Sequence, residues 1–266
     1  KDNQLLKVYT SVDDSNWKKE AEYEYYLHGP LKRVELADAL QGIDYIYTVK
    51  GQLKSINSPN LGSTSVGTFY DPGTDHLNQF APDVFGMSID YYAGDYSCAG
   101  SYVNSTGGLN SSYSGNISAV RWNTKSEGMN LAGSGKQNAY NYTYDHHNWL
   151  TGATFGTYSP SSNQNSFAPP NPNTGPGLTT NGASAGAEPF PFSPNPNEDY
   201  KLSNLTYDAN GNIASLHRNG YTSNSLTNSM DALNYNYAVN AQGNRTDNKL
   251  AYLSDVTHSN DYADVK

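Results

Sequence analysis

Acidic and imidazole side chains come close together at two places in the sequence. Asp71, Asp75, His76 and Asp83 gather oxygen donors of the kind that hold Ca2+. Their spacing matches no EF-hand loop, and they read as acids of ordinary turns. The second place is His146-His147. On an extended backbone neighbouring side chains point to opposite sides, which weakens the pair as joint ligands, so the two read as surface imidazoles and no metal is assigned. Glu20, Glu22 and Glu24 lie among aromatics and raise the question of a glycosidase. That chemistry needs two carboxyl groups facing each other across a cleft, which proximity in sequence does not supply. There is no G-x-S-x-G elbow, G-x-G-x-x-G or P-loop, and Gly133 to Lys136 lacks the full phosphate loop. Cys98 has no Lys or Arg nearby to activate its thiol. No catalytic residue and no cofactor is therefore assigned. Trp17, set among polar residues, is the candidate for an exposed aromatic binding residue.

The elements that carry these residues repeat. Tyr207 to Leu216 reads Y-D-A-N-G-N-I-A-S-L, an aromatic and an acid, a tight-turn signal, then an apolar return. A strand, turn and strand are written this way. From the lead aromatic, a Gly or Asn falls four residues on and an apolar residue six on. The matches are Tyr25, Gly29 and Leu31; Tyr47, Gly51 and Leu53; Tyr144, Asn148 and Leu150; and Tyr207, Gly211 and Ile213. Gly115 to Trp122 repeats the second half without the aromatic. Four copies at one set of offsets make an internal repeat. Gly or Asn supplies the left-handed turn residue, and an acid after the Tyr is placed to accept turn N–H groups, with Asp145 and Asp208 the best candidates.

Composition agrees with strands. Tyr contributes 23 residues while only 15% of the chain is charged, which leaves little material for helices. Glu35 to Gln41 is the one stretch that reads as a helical turn. A net charge of -9 argues against a nucleic-acid partner, and no apolar run is long enough for a transmembrane helix. The chain opens on Lys1, which reads as a processed product or a fragment. Three regions follow: a β-repeat region at 1–158, a Pro/Asn/Gly-rich loop or disordered insertion at 159–199, and a continuation of the repeats at 200–266. In the insertion, Phe190 and Phe192 between prolines are placed to pin it to the body.

Tyr207-Asp208 with Gly211-Asn212-Ile213 resembles the YD repeat of bacterial RHS-repeat proteins. The runs Tyr26 to Arg33 and Phe80 to Tyr96 resemble the version common in Bacteroidetes surface proteins. Several copies replace the acid, with Tyr26, Thr48 or Asn236. The resemblance implies an all-β fold whose hairpins form a curved or spiral sheet, as in part of an RHS-type shell of a polymorphic toxin or surface protein. It implies an exported or cell-surface bacterial location. The partners it implies are the rest of a larger RHS-like chain, a neighbouring shell protein, or an enclosed cargo. No Pro-x-Gly segment with paired catalytic aspartates, as in the family's self-cleaving core, is evident. The expected function is a noncatalytic shell or scaffold segment; the alternative is a carbohydrate-binding or adhesion module using exposed aromatics.

Overall fold

The computed structural model describes residues 4–37, 39–59, 61, 80–81, 83–92, 95–96, 111–124, 137–158, 192–221 and 229–257. Among these every regular element is a strand. In order they are β1 (Lys7–Ser11), β2 (Trp17–Tyr25), β3 (Leu31–Leu36), β4 (Gln41–Tyr47), β5 (Leu53–Ile56), β6 (Phe85–Asp90) and β7 (Ala119–Thr124). They continue as β8 (Gln137–Tyr144), β9 (Leu150–Tyr158), β10 (Phe192–Pro194), β11 (Leu202–Tyr207), β12 (Ile213–Asn219), β13 (Ser229–Val239) and β14 (Arg245–Asp255). Among the described residues no helix is long and apolar enough to cross a membrane.

All fourteen strands belong to one sheet, each paired antiparallel with its neighbour in sequence, except that β9 is followed in the sheet by β11 and β10 pairs separately with β9. This corrects the curved or spiral form expected from the repeats. The sheet is neither strongly curled nor closed, and β1 and β14 stand at opposite ends of the strand order. Among the described residues β14 does not pair with β1, so the strand order stays open. Register shifts occur at the mouths of turns, as between Glu24 and Tyr25, Ile46 and Tyr47, and Thr143 and Tyr144, and also within strands, as between Val8 and Tyr9 and between Ser203 and Thr206. Closing a sheet requires stagger built up across its strands and a last strand that meets the first.

Alternation sorts the side chains. In β8, Gln137, Ala139 and Asn141 are buried while Asn138, Tyr140 and Tyr142 are half-buried. The register carries this across strands. Arg121, Ala139 and Gly156 share one face, and Val120, Tyr140 and Phe155 the other. The first face holds Ala139 and Tyr158, with Phe192 of β10 packed on them. Gly156 is required there, because a Cβ would collide with the Ser193 carbonyl and the Phe192 ring. The second face is an aromatic row. Trp122 stacks near Tyr140 (5.9 Å between centroids), Phe155 lies 5.4 Å from Tyr140, and Tyr200 meets Phe155 edge-on at 5.5 Å.

Two local expectations change. Ala37, Ala39 and Leu40 lie in a turn between β3 and β4 rather than a helical one, because Ala37 and Ala39 take positive φ and prevent helical propagation. The polar stretch after Ser11 contains the start of β2, so Trp17 lies on a strand, opposite Ser11 at the sheet's edge, and is 61% exposed.

Candidate functional site

Antiparallel pairing puts every second connection at the same end of the sheet, and the turns of the repeat all fall at one end. Five share one bonding scheme. The N–H of the residue after the strand donates to the carbonyl four residues on, and its own carbonyl accepts the N–H three on. The residue pairs are Tyr26 with Pro30, Thr48 with Gln52, Asp145 with Trp149, Asp208 with Asn212, and Asn240 with Asn244. The fourth residue is left-handed in each: Gly29, Gly51, Asn148, Gly211 and Gly243. This is a turn closed by a left-handed residue and a bulge. In four of the five the lead aromatic then faces the apolar residue six on, as Tyr25↔Leu31, Tyr47↔Leu53, Tyr144↔Leu150 and Tyr207↔Ile213.

The side chain that starts the turn closes it further. Asp208 Oδ1 accepts the N–H groups of Asn210 and Asn212 at 2.8 and 2.9 Å. Asp145 Oδ1 does the same for His147 and Trp149 at 2.8 and 2.9 Å. Thr48 Oγ1 accepts only Gln52 N–H, at 3.2 Å. In the last unit Asn240 Oδ1 accepts Gln242 and Asn244 at 3.0 and 2.9 Å, so Asn240, rather than Asn236, occupies the position of the acid.

Neighbouring hairpins are joined by tyrosine hydroxyls. Tyr207 donates to the Leu150 carbonyl at 2.8 Å, Tyr237 to Ile213 at 2.8 Å, Tyr144 to Ile117 at 2.7 Å and Tyr91 to Leu53 at 3.0 Å. Leu53, Leu150 and Ile213 each begin the return strand of the preceding hairpin. Burial raises the phenols of Tyr91, Tyr144 and Tyr207 above the ordinary tyrosine value, which keeps the proton each one donates. Tyr25 reaches the Leu5 carbonyl at 3.0 Å, and the Tyr47 ring meets Tyr26 edge-on. Side chains add stitches along the row: Gln52 to the Gly115 carbonyl at 3.3 Å, and Asn212 to Asn248 at 3.0 Å.

Sequence reading missed a buried ion cluster between β5 and β8. Lys54 Nζ lies 2.6 Å from Asp90 Oδ1 and 2.8 Å from Asp95 Oδ1, and Arg121 Nε donates to Asp90 Oδ2 at 2.9 Å. Arg121 also reaches Ser88 at 3.1 Å and Gln137 at 3.2 Å. The side chains of Lys54, Asp90, Asp95 and Arg121 are wholly enclosed. Burial works against the Asp90 carboxylate, but Arg121 and Lys54 outweigh it and hold its pKa below the ordinary aspartate value. Two cations and two anions thus balance in a space closed to solvent, which suits a structural core. A faint signal existed: Arg121 sits between Val120 and Trp122 in a strand, where alternation turns it inward. A second buried pair, Arg33–Asp44 at 2.5 Å, lies over Gly42, where a Cβ would overlap the guanidinium.

His146 and His147 lie in the turn that Asp145 braces, and the turn brings them together. Their ring centroids are 3.7 Å apart, and His147 stacks on Trp149 at 4.9 Å. The backbone here is a tight turn, so the extended geometry that would part the rings does not apply. Asp145 lies beside a cleft of about 500 Å³ lined also by Ser112, Tyr113, Tyr144 and Asn148. Asp71, Asp75, His76, Cys98, Phe190 and Gly133 to Lys136 lie outside the described residues.

The fold and its row of turns define an all-β protein built from hairpins paired in sequence. No protein-family model matches the chain, and no curated protein does. Among solved structures it is similar to "Crystal Structure of TcdB2-TccC3-Cdc42", at 12% identity and a TM-score of 0.26, covering 88% of this chain and 11% of that one. A structure of the Photorhabdus luminescens Tc holotoxin pore, mutated in TccC3, gives 13% identity and a TM-score of 0.23, with 88% and 11% covered. The chain therefore spans about a tenth of the length of either, and neither likeness is close enough to fix the course of its strands.

Proposed function

We propose that this chain is a noncatalytic structural segment, a section of wall or scaffold built from YD-type hairpins. It belongs with a larger RHS-like chain or a neighbouring surface protein, exported from or displayed on a bacterial cell, and serves to enclose or display a partner. Residues 1–158 and 200–266 are its repeat regions, and 159–199 an insertion between them. The observation that carries this reading is the run of tyrosine struts, Tyr144 to Ile117, Tyr207 to Leu150 and Tyr237 to Ile213, which bond each hairpin to the one before it. A hairpin alone is marginal in water, and a sheet that grows by such bonds gains its strength from neighbour contacts.

The test is urea unfolding of the full chain with Tyr144, Tyr207 and Tyr237 changed to Phe, singly and together. Each single change is expected to cost about 1 kcal/mol, and the triple variant to unfold at a clearly lower midpoint. A triple variant with the parental midpoint would remove the basis of the reading. A second reading rests on exposed aromatics: Trp17 is 61% exposed, and Tyr200 stacks on Tyr221 at 6.4 Å. On it, the chain binds carbohydrate or a cell surface, and Trp17→Ala abolishes retention on an immobilised polysaccharide.

A further inference from the structure

We propose that Asp145, His146 and His147 form a binding site for a divalent transition-metal ion of the Zn2+ class. The three residues each offer one ligand atom, and these atoms all lie within 4.8 Å of one another. Bonds to Zn2+ of roughly 2.0–2.2 Å set tetrahedral ligand atoms about 3.3 Å apart. Closing the difference takes small side-chain rotations, for which the 53% exposure of the His147 side chain leaves room.

The turn prepares the site. Asp145 Oδ1 is held by two backbone N–H groups, which fixes the carboxylate plane and leaves Oδ2 directed toward His147 Nδ1 at 3.9 Å. Stacking on Trp149 restrains the His147 ring. Two imidazoles and one carboxylate are the donor set that divalent first-row metals prefer over Ca2+ or Mg2+, which favour all-oxygen sites. Three protein ligands leave positions open to water or to a group from a partner.

The other turns lack this set. Asp208 has the same braced Oδ1, but its Oδ2 is taken by Asn212 Nδ2 at 2.9 Å and by an ion pair with Arg245. The positions that follow it hold Ala209 and Asn210. The turn after Tyr25 offers His28 alone, with Tyr26 where the acid would be.

Calorimetric titration of the full chain with Zn2+ decides the matter, with Co2+ absorption as the second readout and Ca2+ and Mg2+ as controls. The expected result is a saturable site at one ion per chain that responds to Zn2+ and Co2+. His146→Ala and His147→Ala should each weaken it about tenfold or more, since even groups one shell out from a metal cost that much. Asp145→Asn retains the Oδ1 acceptor of the turn and removes the ligand charge, so it should weaken metal binding while leaving the urea midpoint of the metal-free chain near parental. The proposal is overturned if no saturable Zn2+ binding occurs, if the histidine variants bind as the parent does, or if Ca2+ competes equally.

Discussion

The central strands β5 to β9 and the C-terminal hairpins β11 to β14 share turns and struts but place their charges differently. In the centre, Lys54, Asp90 and Arg121 have no exposed side-chain surface. In the C-terminal hairpins each pair reaches solvent through at least one member: Arg218 is 51% exposed although its partner Asp231 is buried, and Arg245 and Asp208 are 27% and 21% exposed. The turn and strut scheme is therefore independent of how deeply the sheet is covered. Covering decides what a charge does: enclosed ions must be matched and bonded, because each leaves water at a cost of several kcal/mol. Ions at the rim remain hydrated and gain little from pairing.

The sharpest way to break this contrast is to remove one cation from each region. Arg121→Ala leaves Asp90 enclosed without its guanidinium partner and should cost about 3–5 kcal/mol. Arg245→Ala should cost only about 1 kcal/mol, because Asp208 is 21% exposed and keeps its bonds from the Asn210 and Asn212 N–H groups. Urea midpoints of the two variants compare them directly, and equal losses would mean that the two regions are covered alike.

Acid tests the same contrast through Asp90, an enclosed carboxyl whose pKa is lowered. A carboxyl lowered in the folded state adds stability that is present above its unfolded pKa, about 3.9. That stability is lost as pH falls through the folded value. Stability should thus hold at neutral pH and fall below about pH 4. Asp90→Asn, although less stable throughout, should show a shallower fall; an unchanged acid slope would assign the loss to other carboxyls.

A smaller effect is expected at the turns. Gly211 has φ +83° and an added Cβ would sit 3.2 Å from Trp149, whereas Gly243 has φ +78° with nothing within 4 Å. Gly243→Ala should therefore cost only the left-handed strain of about 1–2 kcal/mol, and Gly211→Ala somewhat more. If thermal unfolding ranks the two in reverse, Trp149 yields readily and contributes little to locking one hairpin on the next.

What was legible in the sequence was local. The offset from Tyr207 to Gly211 and Ile213 marks a turn because left-handed φ and the return strand are both set within a few residues. Long-range facts left no such mark: Lys54 and Asp90 meet across 36 residues, and nothing near either names its partner. The open form of the sheet is of the same kind, since each hairpin records its own register and not the bend of the whole. The His146-His147 pair shows a different failure. Asn148, four residues after Tyr144, already marked a turn there, so the extended backbone assumed for the two rings conflicted with the repeat. The start of β2 was hidden because Trp17 to Lys19 register only with β1 and are mostly exposed, so no buried face imposes alternation there.

The smallest expected change sharpens what the acid of the repeat contributes. Asn240 Oδ1 accepts the two backbone N–H groups equivalent to those that Asp208 Oδ1 accepts in its turn, at 3.0 and 2.9 Å, but as a neutral acceptor. A carboxylate accepts backbone N–H groups more strongly than an amide oxygen does. Asn240→Asp should raise the urea midpoint slightly, by less than about 1 kcal/mol, with the turn unaltered. If it does, the acid in the repeat is a tuning of a brace whose geometry an amide already supplies, which accounts for the chain's tolerance of Thr48 and Asn240 at that position. A fall in the midpoint would show instead that the charge at Asp208 depends on its ion pair with Arg245.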